Sequence, residues 1–418
     1  MDSTTRTGSS VARFPERSPS PPVPTGRDPW LLLALSLWPL LWVVFAAVAP
    51  HDGRGVYAIF ARASERWWAG EPLYPPAAPM DDVFRYTPTF AVSFTPFSAL
   101  PDLLGEPLFN LIGLTLLFFS LRLAVRRLLP DALTPRQEGV FLLLTLAGTV
   151  RGFWAAQTNV LLLALILFGA MAALDRRWWT ATALLTATVF VKLWPIALIA
   201  LLATYWPKPL LARLPVLTAA FAAVPFLTRP WREALAEHVA FYEVLVRTAP
   251  LRWRGYRDGW TILEQVTTPS PAIYHALQVA GAVALLGWLS WQRRRLGRVE
   301  LLWLTLQSWA AWQLLLGPAT ERLTYGLIAP FTAAAVVDAF ARRRWRALAI
   351  GAFLMTAILG AGEAERALLP IFPWAPAIQP AGVVVFVIWL ALRYGVDLEL
   401  GPHSGPAPEM SRKGAMTR

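Results

Sequence analysis

The chain has 418 residues, a net charge of +12, 56% apolar residues and 15% charged ones, and its mean hydropathy is +0.47. Soluble domains lie near about 45–50% apolar and about 25% charged, so a single soluble domain is excluded. The absence of cysteine excludes disulfides, thiolate metal sites and cysteine nucleophiles, and His51, His238, His275 and His403 do not pair at metal-ligand spacing.

Residues 1–28 are rich in Ser, Pro, Arg and Thr and read as a disordered cytoplasmic tail. They carry no signal-peptide apolar region. The apolar run 30–49 is long enough to cross a bilayer as a helix. Arg6, Arg13, Arg17 and Arg27 precede it and place the N-terminus inside. Residues 51–106 then form a large outward loop. In it Val56, Ile59, Phe60, Ala63 and Trp67 follow a helical period, with Arg62, Glu65 and Arg66 facing away, the pattern of an interfacial amphipathic helix. Tyr86 to Leu100 is apolar but short, and Pro88 and Pro96 interrupt it. It is expected to lie on the outer leaflet or dip into it.

Further spans are expected at 107–125, 138–151, 153–174, 178–192, 194–206, 212–228, 272–292, 299–316, 324–341, 346–361 and 378–394, making about 12 transmembrane helices with the first. The runs are continuous and do not alternate, which excludes a membrane barrel. Short inward loops hold Arg126-Arg127, Arg176-Arg177, Arg293-Arg294-Arg295 and Arg342-Arg343-Arg344. The basic excess is therefore a positive-inside signature rather than a nucleic-acid surface. Trp178 to Trp206 is long for one span and short for two; it reads as two short helices meeting near Lys192 and Pro195. A second outward loop, 229–271, opens with an expected amphipathic helix (Trp231, Leu235, Val239, Tyr242, Leu245). Residues 397–418 read as a second disordered cytoplasmic tail. The fold class is thus an all-α integral membrane protein, with residues 29–396 as its membrane domain and chemistry expected on the outward face.

Asp52, just past the first span, is a candidate general base for a hydroxyl nucleophile; a helix cap or a solvated loop acid is the alternative. Gln157 and Asn159, near an expected outer turn beside Arg151, suit sugar hydroxyls or interhelical hydrogen bonds. Lys192 lies in an apolar context and suits a lipid phosphate, or snorkels to the interface. Glu321 and Arg322 interrupt two spans on the outward side, where they form a local salt bridge or bind a phosphate and a sugar. Arg252, Arg254 and Arg257, interleaved with Trp253, Tyr256 and Trp260, suit an anionic headgroup beside a sugar face, or an anchor to anionic lipid.

His51-Asp52-Gly53-Arg54-Gly55-Val56-Tyr57, then Ala69-Gly70-Glu71-Pro72-Leu73-Tyr74, then Phe84-Arg85-Tyr86-Thr87-Pro88-Thr89-Phe90-Ala91 resemble the first-loop signature of glycosyltransferase family 87, which has the GT-C fold. Gln157-Thr158-Asn159 resembles its Gln-x-Asn element, and Val191-Lys192-Leu193-Trp194-Pro195 its Lys-x-x-Pro element. A weaker likeness covers 317–330. The resemblance implies a catalytic Asp52 and donor- or substrate-binding roles around Tyr57, Tyr74, Arg85, Tyr86, Gln157, Asn159 and Lys192. It also implies a polyprenyl-phosphate sugar donor, usually mannose, a lipid or glycan acceptor, and inversion at the anomeric carbon. Because the donor is a monophosphate, no metal or other cofactor is expected. A transporter or flippase of lipid-linked sugars and a non-catalytic membrane scaffold are the rival functions.

Overall fold

A peptide group left unpaired in hydrocarbon costs several kcal/mol, so a chain this apolar folds into helices that pair their own backbone. The computed structural model describes residues 28–48, 55–75, 84–248, 255–318 and 320–396. Among these residues the structure is helix and turn, with one isolated antiparallel bridge between Tyr256 and Glu321.

The chain enters through α1 (Pro29–Val48), crosses the first loop as α2 (Tyr57–Ala69), α3 (Pro88–Ser93) and α4 (Thr95–Ser98), and continues as α5 (Asp102–Arg127). α2 stops at Gly70, whose φ of 75° closes the helix at no cost in Cβ clash. α3 starts on the Thr87 hydroxyl, which accepts from Phe90 N, with Pro88 at its first position. α6 (Pro135–Trp154) opens on a reciprocal box of Thr134 and Gln137, which satisfies two otherwise unpaired groups. A tight turn leads to α7 (Thr158–Leu174). α8 (Trp178–Val191) and α9 (Ile196–Tyr205) are separated by Lys192–Pro195, with Lys192 extended at φ −138°, ψ 138°. Pro195 donates no hydrogen bond and biases its predecessor out of the helical region, which explains the break.

There follow α10 (Pro207–Leu211), α11 (Leu214–Ala223), α12 (Trp231–Thr248), α13 (Gly259–Leu263), α14 (Pro271–Gln292), α15 (Arg298–Leu316), α16 (Ala329–Ala341), α17 (Arg346–Phe353), α18 (Gly362–Leu368) and α19 (Ile378–Ala391). Five stretches are long and apolar enough to cross a membrane: Pro29–Ala47, Asp102–Arg127, Pro207–Leu227, Pro271–Gln292 and Ala375–Gly395. A sixth is made if Arg346–Leu359 and Gly362–Leu368, bent by 92°, are taken together. α7, α8, α9 and α16 are apolar but shorter. The chain is a multi-pass membrane protein. Length and composition identify five or six of the twelve expected crossings.

α7 and α15 are buried almost all round, the mark of central helices. Ion pairs collect at the two ends of the bundle. Arg127 meets Asp175, Arg342 meets Asp131 and Arg393 meets Asp338 at the end that carries the basic loops. Arg151 meets Glu363 and Arg257 meets Glu365 at the other.

The first loop is held there by rings. Phe60, fully buried, has Tyr86, Phe90, Phe94 and Phe109 around it at centroid distances of 4.8, 5.1, 5.4 and 6.3 Å. Each such pair adds about 0.5–1.5 kcal/mol beyond burial. α2 buries Phe60, Ala63 and Trp67 and exposes Arg62 and Glu65, as its period requires. α12 is amphipathic, as expected. Its apolar stripe of Trp231, Leu235, Val239 and Tyr242 is exposed and Leu245 half-buried, while Ala234, Glu237 and Val244 are buried. In a membrane protein the exposed stripe faces lipid, and a polar residue is free to face the protein.

Glu237 uses that freedom to clamp the loops together. Its carboxylate accepts from Leu73 N at 3.2 Å and lies 3.8 Å from Arg229. Arg229 donates to the carbonyls of Arg66 and Trp67 and sits over the Trp67 ring at 4.2 Å. Burial raises the Glu237 pKa above the ordinary carboxylate value, opposed by the Leu73 hydrogen bond, Arg229 and His238. The folded chain therefore binds this proton more readily than the unfolded chain, and stability falls as pH rises through that window. Glu237→Gln should flatten this decline and raise the melting temperature at neutral pH. A pH series of melting temperatures that is identical for the two proteins would remove Glu237 as its source.

Candidate functional site

The site is organised by the turn between α6 and α7. Val56 N donates to Ala155 O at 3.1 Å, so the first loop starts against this turn. Gly55 packs so closely that a Cβ there would meet Ala155 O at 3.4 Å and Glu106 Oε1 at 3.5 Å. Ala156 is fully buried with φ 49°, a left-handed conformation that costs a non-glycine residue about 1–3 kcal/mol and persists only where the surrounding contacts enforce it. Beyond it, Gln157 begins α7 without capping it.

The polar groups that follow are buried and incompletely used. Among the described residues Gln157 Oε1, Thr158 Oγ1 and Asn159 Nδ2 have no hydrogen-bond partner, and such orphans call for a ligand or water. Asn159 Oδ1 accepts from Lys192 Nζ at 3.0 Å, and the same ammonium stands 5.6 Å from the Tyr86 ring. Sequence-distant Tyr86, Gln157, Asn159 and Lys192 are thus brought together. Lys192 is held by a neutral amide and a ring face rather than by Glu321 or another carboxylate. Among the described residues its charge stands unneutralised.

Arg85 links this centre to a second one. Its Nη1 donates to Tyr256 Oη at 3.4 Å, and its Nε is buried without a partner. Tyr256 pairs with Glu321, and Arg257 N donates to Thr320 O at 2.7 Å. The Arg257 guanidinium grips Glu365 through Nε at 2.9 Å and Nη2 at 2.5 Å, both side chains being 5% exposed. Arg322 Nε lies 3.2 Å from the same carboxylate. Arg322 therefore pairs with Glu365, which corrects the expected local salt bridge with Glu321: a 3-10 turn at Arg322–Leu327 sends the two side chains apart. Glu363 is shared by Arg151 and Arg366.

Arg151 and Arg322 converge on Gly362, where a Cβ would lie 3.3 Å from Arg151 Nη1 and 3.1 Å from Arg322 Nη1. Gly148, Gly152, Gly326 and Gly362 wall the recess between them. Burial and the neighbouring Arg257 guanidinium lower the Arg322 pKa from its ordinary value, with Glu365 opposing. The recess is electropositive, and an oxyanion would relieve it.

Other expected residues serve the frame. Tyr57 Oη donates to Phe97 O at 3.0 Å, over Gly105, where any Cβ would collide with it. Burial, then Asp102, Glu106 and Glu65, push the Tyr57 pKa to about 12, so it remains a donor. Tyr74 Oη donates to Tyr86 O at 2.7 Å. Asp52, Arg252 and Arg254 lie outside the described residues. Sequence reasoning missed Glu363, Glu365 and Arg366; an acidic pair directly after the Gly360-Ala361-Gly362 break was the available signal. It also missed Glu106, buried beside Gly55.

The model of glycosyltransferase family 87 matches residues 84–305, more than half of the chain. No curated protein matches it. The chain belongs to glycosyltransferase family 87 and is a membrane glycosyltransferase acting on sugar donor and acceptor substrates. The matched stretch contains Arg85, Tyr86, Gln157, Asn159, Lys192 and Arg257 and ends before Glu321 and Arg322.

The two cationic centres should respond differently to truncation. Arg257→Met strips the bidentate partner from a buried carboxylate and should cost about 3–5 kcal/mol. Lys192→Met removes one hydrogen bond together with a half-buried charge, and should change stability by less than about 1 kcal/mol. Thermal unfolding of both variants in one detergent tests this. Equal destabilisation would make Lys192 structural.

Proposed function

We propose that the enzyme transfers a hexose, mannose in the first instance, from a polyprenyl-phosphate sugar to a lipid or glycan acceptor on the outer face of the cytoplasmic membrane. The observation that supports this most is the unneutralised Lys192 ammonium at a helix break, beside the unpartnered Gln157, Thr158 and Asn159 groups. An anionic lipid phosphate complements the ammonium, and sugar hydroxyls complement amides, because each hydroxyl both donates and accepts. Family membership favours this transferase reading over a transporter or a scaffold.

In this reading Asp52, three residues before Gly55, takes the proton of the acceptor hydroxyl. The acceptor oxygen forms a bond to the anomeric carbon from the face opposite the phosphate. The carbon–oxygen bond to phosphate breaks, its electron pair leaves with the phosphate monoester, and the configuration inverts. Lys192, with Arg322 and Arg151 nearby in the same end of the bundle, stabilises the charge that accumulates on the leaving group. Arg85 and Tyr86 border the donor. Arg257 and Glu321 set the position of the 255–258 and 320–322 segments.

Twelve crossings follow if α6, α7, α8, α9, α15, α16 and the 346–368 pair each traverse the membrane beside the long spans. Both termini then lie in the cytoplasm, with loops 51–106 and 229–271 outside. Gly297 has open space around a built Cβ, and Thr268 is exposed. In this cysteine-free chain, Thr268→Cys should react with an impermeant thiol reagent in intact cells and Gly297→Cys should not. Labelling of position 297 alone would invert the topology.

Purified enzyme given radiolabelled polyprenyl-phosphate mannose tests the chemistry. Asp52→Asn should remain folded and lose at least ~100-fold in rate, the lower range for a general base. Lys192→Met should weaken binding of polyprenyl phosphate alone by about 1.5–3 kcal/mol, the range for a charged hydrogen bond. An Asn variant with wild-type turnover would exclude Asp52, with exposed Glu71 next to be tested. Unchanged lipid affinity would take Lys192 out of the donor site.

A further inference from the structure

The end of the bundle opposite the candidate site contains a cavity of about 300 Å³, near the lower limit of ordinary small-molecule sites. It lies between the turn after α5 and the ends of α15, α16 and α19. Asp131 and Arg342 stand at its mouth, and Trp303, Gln307, Trp389 and Tyr394 line its interior. Gln307 is nine residues along α15 from Arg298, so the cavity reaches about 13 Å below the helix start. None of these residues belongs to the transferase site.

The chemistry of the walls restricts the occupant. Arg342 bonds Asp131 at 2.6 Å and Asp338 at 2.9 Å, and Arg393 bonds Asp338 at 3.1 Å. Two guanidiniums and two carboxylates thus close on each other. An entering anion would meet Asp131 and Asp338, with Glu300 in the same field; an entering cation would meet Arg342 and Arg393. A neutral group meets neither obstacle. The interior nevertheless offers hydrogen bonds that the protein does not use. Trp389 is 2% exposed and its Nε1 has no partner among the described residues, and Gln307, 1% exposed, has its Oε1 in a long 3.5 Å contact with Tyr394 Oη. The paired carboxylates keep spare lone pairs, and the indoles present flat apolar faces.

We infer that this cavity binds a neutral polyhydroxyl ring, a sugar, at the basic end of the bundle, separate from the transferase site. Hydroxyls accept from the Trp389 indole and donate to Asp131 or Asp338 without opening an ion pair, and the C–H face of the ring lies on Trp303 or Trp389. The sugar comes either from solution or as the headgroup of a glycolipid in the adjacent leaflet.

The test uses the full chain in nanodiscs made of phospholipid without sugar. Two photoreactive probes are compared: a diazirine-bearing methyl mannoside and a mannosyl diacylglycerol with the same diazirine. Crosslinked peptides are read by mass spectrometry, so labels at the two ends of the bundle are distinguished. The expected result is labelling within 129–137, 303–307 or 389–394 that excess methyl mannoside suppresses. Labelling by the free probe assigns the sugar to solution, and labelling by the lipid probe alone assigns it to a glycolipid. Trp389→Phe, which keeps a ring and removes the N–H, should weaken labelling about tenfold, as expected for one hydrogen bond lost in a closed site, and Asp131→Ala, which removes the acceptor at the exposed mouth, should weaken it by less than tenfold. No suppressible label in these segments with either probe, or undiminished labelling in both variants, overturns the inference.

Discussion

A bilayer interior gives a polar group no water to fall back on, and this constraint governs where the chain keeps its charge. Ion pairs gather at the two ends of the bundle, and several, such as Arg127–Asp175, Arg257–Glu365 and Arg342–Asp131, join partners far apart in sequence. The Arg257–Glu365 pair is the most deeply buried of them. It joins the 255–258 segment to the broken helix after α17, and Arg322 joins the 3-10 turn to the same carboxylate. Desolvation makes this pair weak as a source of net stability, but its loss would strand a buried charge. Its role is to fix three segments relative to one another. Against that fixed frame Lys192 stands out, because its partner is neutral.

The difference between these cations follows from their chemistry. A guanidinium is a planar fork that matches a carboxylate with two bonds, so Arg257 holds one geometry. An ammonium is a point charge on a flexible stem and is satisfied by many geometries. The frame therefore uses arginine, and the position facing the unpartnered amides uses lysine. Arg151 and Arg322 are intermediate. Both are anchored by a glutamate, yet both converge on Gly362, where the missing side chain lets the two guanidiniums approach.

What was legible in the sequence follows the range of each interaction. The break at Lys192–Pro195 was visible because proline acts on its immediate neighbours. The packing face of α2 was visible because an apolar period beside charged residues has one sensible orientation. α12 has the same kind of period, but which of its faces packs was not legible, because an apolar stripe on a membrane protein suits lipid as well as a core, and here Ala234 and Glu237 face the protein. Sequence neighbours also made Glu321 the natural partner of Arg322, whereas Glu365 is supplied by a helix break 43 positions later. Motif likeness did not separate frame from site: the hydroxyls of Tyr57 and Tyr74 go to backbone carbonyls, while Gln157 and Asn159 retain free groups.

The turn between α6 and α7 is where these threads meet. Arg151 lies one helical turn before Ala155, whose carbonyl receives the first loop at Val56. Ala156 holds its left-handed conformation with no exposed surface, so the surrounding contacts must outweigh its strain. Three residues later Asn159 holds Lys192. A relaxed turn would shift the start of α7 relative to the end of α6, and with it the spacing between the arginine recess and the lysine centre. The strained alanine thus sets one distance that both centres share, and the loop carrying Asp52 is anchored at the same point.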